Sequence, residues 1–304
     1  MLQFQKIFGR FMANQKLSYI YALSAVLLWS TVATAFKVSL RFMNPSQLVL
    51  CSSLSALVFL SILIILRKKS IKVVEYFKQN FFITIVLGAI NPFLYYLVLM
   101  RAYDLLPAQE AQAINYTWAL MLSYLSVIFL KHKLSIYDII AGFLAYFGVL
   151  IIATKGNMTT FHFSNGLGLS LALLSTVLWS FYWIFSTKIK ADPIITLFCN
   201  FFVGVIFTII YFISCKNFQS ISFEGIASSV YIGLFEMGIT FILWLKALKY
   251  SKNTSKTANL IFLSPVLSLV FIHYIAGERI ENSTIVALFF ILIGLSIQKI
   301  KPKG

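Results

Sequence analysis

Glu236 sits near the middle of the apolar run 226–245, whereas the other eight acidic residues of the chain lie between such runs or near their ends. A carboxylate at the centre of a bilayer costs roughly 3 kcal/mol or more unless it faces a protein interior, a partner or water. Desolvation favours the neutral form of a carboxylate and rehydration the charged one, so a group placed there can bind and release a proton. The competing role is a neutral glutamic acid that hydrogen-bonds a neighbouring helix. Asn91 holds the corresponding place in an earlier run, and Pro92 after it predicts a kink with a freed carbonyl. Trp29 and Trp179 lie inside their runs, away from the ends where interfacial tryptophans gather. Tyr182, Asn115, Tyr116, Trp118 and Asn259 add donors, acceptors and ring faces. That combination suits the lining of a site for a small organic molecule, with helix packing as the alternative for each residue. Trp29, Asn91, Asn115, Tyr116, Trp118, Trp179, Tyr182 and Asn259 are therefore the candidate substrate-binding residues, and Glu236 is the candidate proton-coupling residue.

Other chemistry finds no footing. The cysteines Cys51, Cys199 and Cys215 form no C-x-x-C, and the three histidines fall at run ends or between runs, so no metal set is expected. The chain contains no H-E-x-x-H, no G-x-S-x-G and no P-loop. No enzyme activity and no cofactor are expected, and ATP is not expected to drive the chain directly.

The elements that must position these residues are membrane spans. The chain is 60% hydrophobic and 11% charged with mean hydropathy +0.89, far from the balance of a soluble domain. Ten apolar runs follow one another, at 17–36, 46–66, 81–99, 108–130, 136–154, 167–187, 194–214, 226–245, 258–275 and 283–297. Each approaches the roughly 20 residues that a spanning helix needs. Lipid offers no partner to free backbone groups, so the runs must be helical. Ala33-Thr34-Ala35 has the form of a signal-cleavage site, but the run before it is long enough to stay as a span. In residues 1–16, Phe4, Ile7, Phe8, Phe11 and Met12 fall at helical spacing with Lys6 and Arg10 off the stripe, which predicts a short helix on the membrane surface.

The charge fixes an orientation. Net charge is +16, from 25 Lys and Arg against 9 Asp and Glu. With the N-terminus inside, nineteen of the basic residues fall in inside segments and six in outside ones. That alternation predicts both termini in the cytoplasm of a multi-pass cell-membrane protein. The basic surplus is thereby explained by the lipid bilayer, and nucleic acid is not an expected partner.

The two halves resemble each other. Val26 to Ser30 aligns with Thr176 to Ser180, Gly88-Ala89-Ile90-Asn91 with Gly233-Leu234-Phe235-Glu236, Met100-Arg101-Ala102 with Leu245-Lys246-Ala247, and Gly148 with Gly294, at offsets of 145–150 residues. Five spans per half force the second half to enter the membrane from the opposite side. The expected fold is all-α and integral to the membrane: ten transmembrane helices as two inverted five-helix repeats, 17–154 and 167–298. Inverted repeats are a mark of secondary transporters, whose site lies near the midplane between the halves.

Leu28-Trp29-Ser30-Thr31, Asn115-Tyr116-Thr117-Trp118, Trp244 to Lys249, Ser264-Pro265-Val266-Leu267-Ser268 and Gly277-Glu278-Arg279-Ile280 carry a further likeness. In these pieces the chain resembles the drug/metabolite transporter superfamily and its EamA-type group, with the first and second pieces also similar to an aromatic amino-acid exporter branch. Where the second half has Gly277-Glu278, the first has Lys131-His132, which departs from a shared acidic position. The resemblance implies a ten-helix permease that moves small metabolites, often outward, by alternating access. The function expected is thus secondary-active or facilitative export of a small amino acid-like or drug-like molecule, with a proton as candidate coupled ion. A lipid or lipid-carrier flippase on the same scaffold is the alternative; Lys37 and Arg41, basic residues at headgroup depth, are its only hint. The sequence leaves monomer and homodimer open.

Overall fold

A computed structural model describes residues 14–131, 135–157, 165–186, 189, 191–216, 219–252, 257 and 260–297. The proposed surface helix of the N-terminal segment and the candidate Asn259 lie outside the described residues. Among the described residues eleven helices follow in order: α1 Gln15–Ser39, α2 Pro45–Leu66, α3 Ser70–Gln79, α4 Phe81–Leu105, α5 Ala108–Leu130, α6 Ile136–Ala153, α7 Gly166–Ser186, α8 Pro193–Cys215, α9 Phe223–Tyr250, α10 Leu260–Ala276 and α11 Asn282–Ile297. Among the described residues there is no strand. Eight of these helices are long and apolar enough to cross a membrane, and α10 and α11 are shorter apolar helices. Together they account for the ten expected runs. The surface helix α3 was not expected. It turns Tyr76 inward and leaves Ile71 and Val74 exposed, an amphipathic pattern too short to register as a span.

Local chemistry sets the helix ends and repeats between halves. α2 begins at Asn44, whose side chain accepts from Gln47 N at 2.9 Å, with Pro45 as the first helical residue. Its counterpart α8 begins at Asp192, whose side chain accepts from Ile194 N at 2.9 Å, with Pro193 next. Side-chain acceptors satisfy the first-turn amides, and proline is cheap where no amide partner is needed. At the far ends of α5 and α10 the chain turns through left-handed backbone at Lys131 (φ 56°) and Gly277 (φ 73°). Glycine does this freely, whereas Lys131 costs about 1 kcal/mol in the same place.

Packing shows the same two-fold relation. α6 lies along α11, and a Cβ on Gly148 would stand 2.6 Å from Ala287 O, while one on Gly294 would stand 2.6 Å from Ala141 O. Each glycine lets the partner backbone come close. Gly88 of α4 meets the backbone of α8 at Asn200, and its counterpart Gly233 of α9 meets the backbone of α2 at Ser52. α1 packs on α9 as α7 packs on α4.

Four helices break partway, again in pairs. α4 loosens over Ala89–Leu94, where Asn91 leaves helical backbone (φ −139°, ψ 119°) before Pro92. α9 breaks between Phe235 and Ile239, with Gly238 at φ −119°, ψ −85°, and Thr240 Oγ1 turns back to donate to Phe235 O. α5 breaks at Tyr116-Thr117, and α10 starts with the tight turn Leu260–Phe262. The expected kink at Pro92 is present. The expected span at 226–245 is present as α9, and its break at Glu236, with a glycine two residues on and no proline, adds a feature that the apolar pattern does not announce.

An aromatic chamber at the helix breaks

The breaks bring chemistry-bearing residues to the middle of the bundle. Glu236 is the first residue of the α9 break, and it is half-buried. The buried Tyr96 hydroxyl donates to Glu236 Oε1 at 3.0 Å, and the Trp29 indole is directed at the same carboxylate. Tyr95 and Tyr116 lie within electrostatic range of it. No lysine, arginine or histidine is among the groups facing Glu236 in the described residues.

All five tryptophans of the chain belong to one aromatic network. Trp118 stacks on Trp183 with centroids 6.4 Å apart, and Trp183 meets Trp179 edge-on at 6.0 Å. Phe241 bridges Trp179 (6.2 Å) to Trp29 (5.9 Å), and Trp29 touches Trp244 at 5.5 Å. Tyr95 and Tyr182 stack on Trp179 at 4.5 and 5.4 Å. Offset and edge-on pairs of this kind add about 1 kcal/mol each to burial alone. The network joins helices of both halves: α1, α4, α5, α7 and α9.

Each sequence candidate except Asn259, which lies outside the described residues, can now be placed. Trp29 and Glu236 face each other directly. Trp118 and Trp179 are in the network, and Ser180 donates to Trp118 O at 3.0 Å across the α5 break. Asn115 donates to Ser175 Oγ at 2.9 Å, beside the ring of Tyr95. Asn91, the repeat counterpart of Glu236, is buried and hydrogen-bonds Tyr182, which also receives the Asn200 amide at 3.4 Å. Asn91 thus meets the network at Tyr182, whose ring stacks on Trp179. Reading by residue type missed Tyr95, Tyr96, Phe241 and Trp244. The signal available for the tyrosines was their place immediately after the Asn91-Pro92 break.

At the end of the bundle opposite the termini, charged side chains close the helix ends. Glu278 accepts from Ala108 N at 2.8 Å and Gln109 N at 3.5 Å, capping α5 from the other half. Glu110 lies buried in the same first turn, where a carboxylate suits the helix dipole. Gln109 donates to Arg279 O at 2.8 Å and accepts from Glu281 N at 2.9 Å. Lys37 donates to Tyr103 O (2.9 Å) and Leu106 O (2.8 Å), and Arg41 donates to Ala276 O. Cations at helix C-termini complement the helix dipole. Deeper on the same side, Ser268 donates to Gln112 Oε1.

The comparisons agree with this architecture. The model of the EamA-like transporter family matches the chain twice, at residues 16–154 and 166–298. An uncharacterized transporter of Clostridium kluyveri is 31% identical over 54% of this chain, a match that spans about half (55%) of that relative. An uncharacterized transporter of Archaeoglobus fulgidus is 24% identical over 90% of this chain and 95% of its own length. The uncharacterized transporter YvbV of Bacillus subtilis is 24% identical over 75% of this chain and 74% of its own. One crystal structure superimposes with TM-score 0.66 at 19% identity over 94% of this chain and 97% of its own, a likeness of fold. A multi-pass chain of two repeats, matched by this family model in each repeat, belongs to the EamA-like transporter family.

Proposed function

We propose that the protein exports a small organic solute across the cell membrane by alternating access, with the aromatic chamber as its site and both termini in the cytoplasm. One observation carries this reading: the lone mid-span carboxylate sits at a helix break and joins an aromatic network built from both repeats. Broken helices at the midplane of inverted repeats are where transporters of this type hold their substrates. The ring faces hold the solute body, Asn115 and Tyr116 supply polar contacts, and Glu236 takes the coupled proton. Proton and solute meeting at one residue are linked, so each alters the other's affinity. The flippase reading loses its footing because Lys37 and Arg41 are committed to carbonyls at helix ends.

The test is uptake by proteoliposomes under an imposed pH gradient, with a panel of amino acids, sugars and organic amines. Wild type should accumulate at least one solute. Glu236→Gln, which keeps shape and a hydrogen bond but cannot titrate, should insert and exchange solute yet lose accumulation. Accumulation at the wild-type level by Glu236→Gln would make the residue structural. Movement of a labelled lipid with no solute would overturn the export reading.

A further inference from the structure

We infer that the chamber selects solutes bearing a positive charge on an apolar, ring-sized body and no acidic group: protonated or quaternary amines. This rests on the chamber being the transport site and names what that site takes. The argument is one of charge. A solute at the middle of a membrane has lost its water, so its own charge must be met by the protein. Among the described groups facing the chamber, Glu236 is the one acidic side chain, and no basic side chain faces it. Two basic residues toward the ends of the bundle are already engaged. Lys37 is held by two carbonyls, and Lys246 lies over the Tyr21 ring at 5.3 Å from its centroid. A carboxylate on the solute would meet Glu236 and an aromatic wall, with no cation among the described groups facing them to answer it. An ammonium meets the same carboxylate and the same faces as attractive partners, and tryptophan is the best of the ring faces for a cation. Tyr96 and Trp29 give Glu236 two donors, and two carboxylate oxygens have about four acceptor positions, so the group keeps capacity for a solute cation. The balance is simple. A permanent cation that binds protonated Glu236 sends one proton to water, and no covalent bond changes.

The location of the tryptophans supplies the assay. Every indole of the chain is in the network, so intrinsic fluorescence reports on the chamber alone. The full chain, purified in a non-ionic detergent, would be titrated with four probes on one phenyl frame: phenethyltrimethylammonium, phenylalanine, 3-phenylpropionate and 3-phenylpropanol. The expected result is quenching by the trimethylammonium probe at least tenfold more potent than by the others, reduced at least tenfold in Glu236→Gln. Proton release on binding, absent in Glu236→Gln, is the second readout. Tighter binding of phenylalanine, phenylpropionate or the alcohol, weakened by Trp29→Phe, overturns the charge selection and leaves the chamber as the site. Binding that neither Trp29→Phe nor Glu236→Gln alters overturns the chamber itself. Failure of the trimethylammonium probe to bind at millimolar concentration also overturns the selection.

Discussion

The two halves of α5, on either side of its break, live in different surroundings. From Ala108 to Ile114 every residue is buried, whereas from Trp118 to Leu130 only Leu120 and Ser126 are. The ends of the bundle differ in kind as well. Opposite the termini, Glu278, Lys37 and Arg41 close helix ends through ionised groups. Beside the termini, neutral hydroxyls tie α1 to α9: Ser18 donates to Ala247 O at 2.8 Å, and Thr257 joins Ser18 at 3.0 Å and Ser251 at 2.8 Å. Hydrogen bonds to charged groups contribute about 1.5–3 kcal/mol, against roughly 1 kcal/mol for neutral ones. The lesson is that a two-fold fold need not have equal gates. The mirror of Glu278 is His132, so the carboxylate cap on a helix of the other half has no counterpart at this end, where the charged tie Lys69–Asp192 is part-exposed.

The largest expected effect is a control on that comparison. Gly294→Val puts a branched side chain where even a Cβ lies 2.6 Å from Ala141 O, and should cost about 3 kcal/mol as overpacking. Thermal unfolding should show the loss, and hydrogen exchange should rise alike at both ends because the α6–α11 contact belongs to neither. A rise at one end alone would mean that this contact is part of a gate. Next comes Glu278→Ala, which frees the Ala108 and Gln109 amides. It should cost about 2 kcal/mol and speed their exchange by more than tenfold, while Ser18 and its neighbours keep their protection. Equal protection before and after would erase the difference between ends.

The smallest effect is a tie between loops on the terminal side, where Lys69 pairs with Asp192. Burial acts to raise the Asp192 pKa, but the Lys69 hydrogen bond, the Ile194 and Ile195 amides and the Lys69 charge outweigh it and hold it below the usual aspartate value. A depressed carboxylate stabilises the fold above its unfolded pKa and loses that contribution as pH falls through the folded one. Both side chains are part-exposed, so the tie is worth about 1 kcal/mol or less. Asp192→Asn keeps the helix cap, so its melting temperature should fall slightly below wild type at pH 7. The gap should close in acid below the ordinary aspartate range; a gap that widened there would sink the pairing.

Much of the fold was legible because lipid imposes one simple pattern. Apolar length marked the spans. The breaks were legible only where proline announces one: Pro92 did, whereas Gly238 beside Glu236 gave a signal no stronger than any other glycine. Glu278 stood out as a departure from symmetry, but its partners lie about 170 residues away, and no local pattern encodes that distance. Tyr96 was passed over for the same reason, since its partner is 140 residues distant and an apolar neighbourhood makes a tyrosine look like packing.

Two glycines hold α6 and α11 at backbone contact. α6 has 18 residues, so at 1.5 Å per residue it reaches roughly 27 Å. The hydrocarbon layer around such a helix is about 30 Å thick. A helix no longer than that layer has little length to spare for tilting, and glycines that hold it against α11 oppose a tilt of either helix alone. The seating of this pair is therefore tied to the thickness of the membrane that surrounds it.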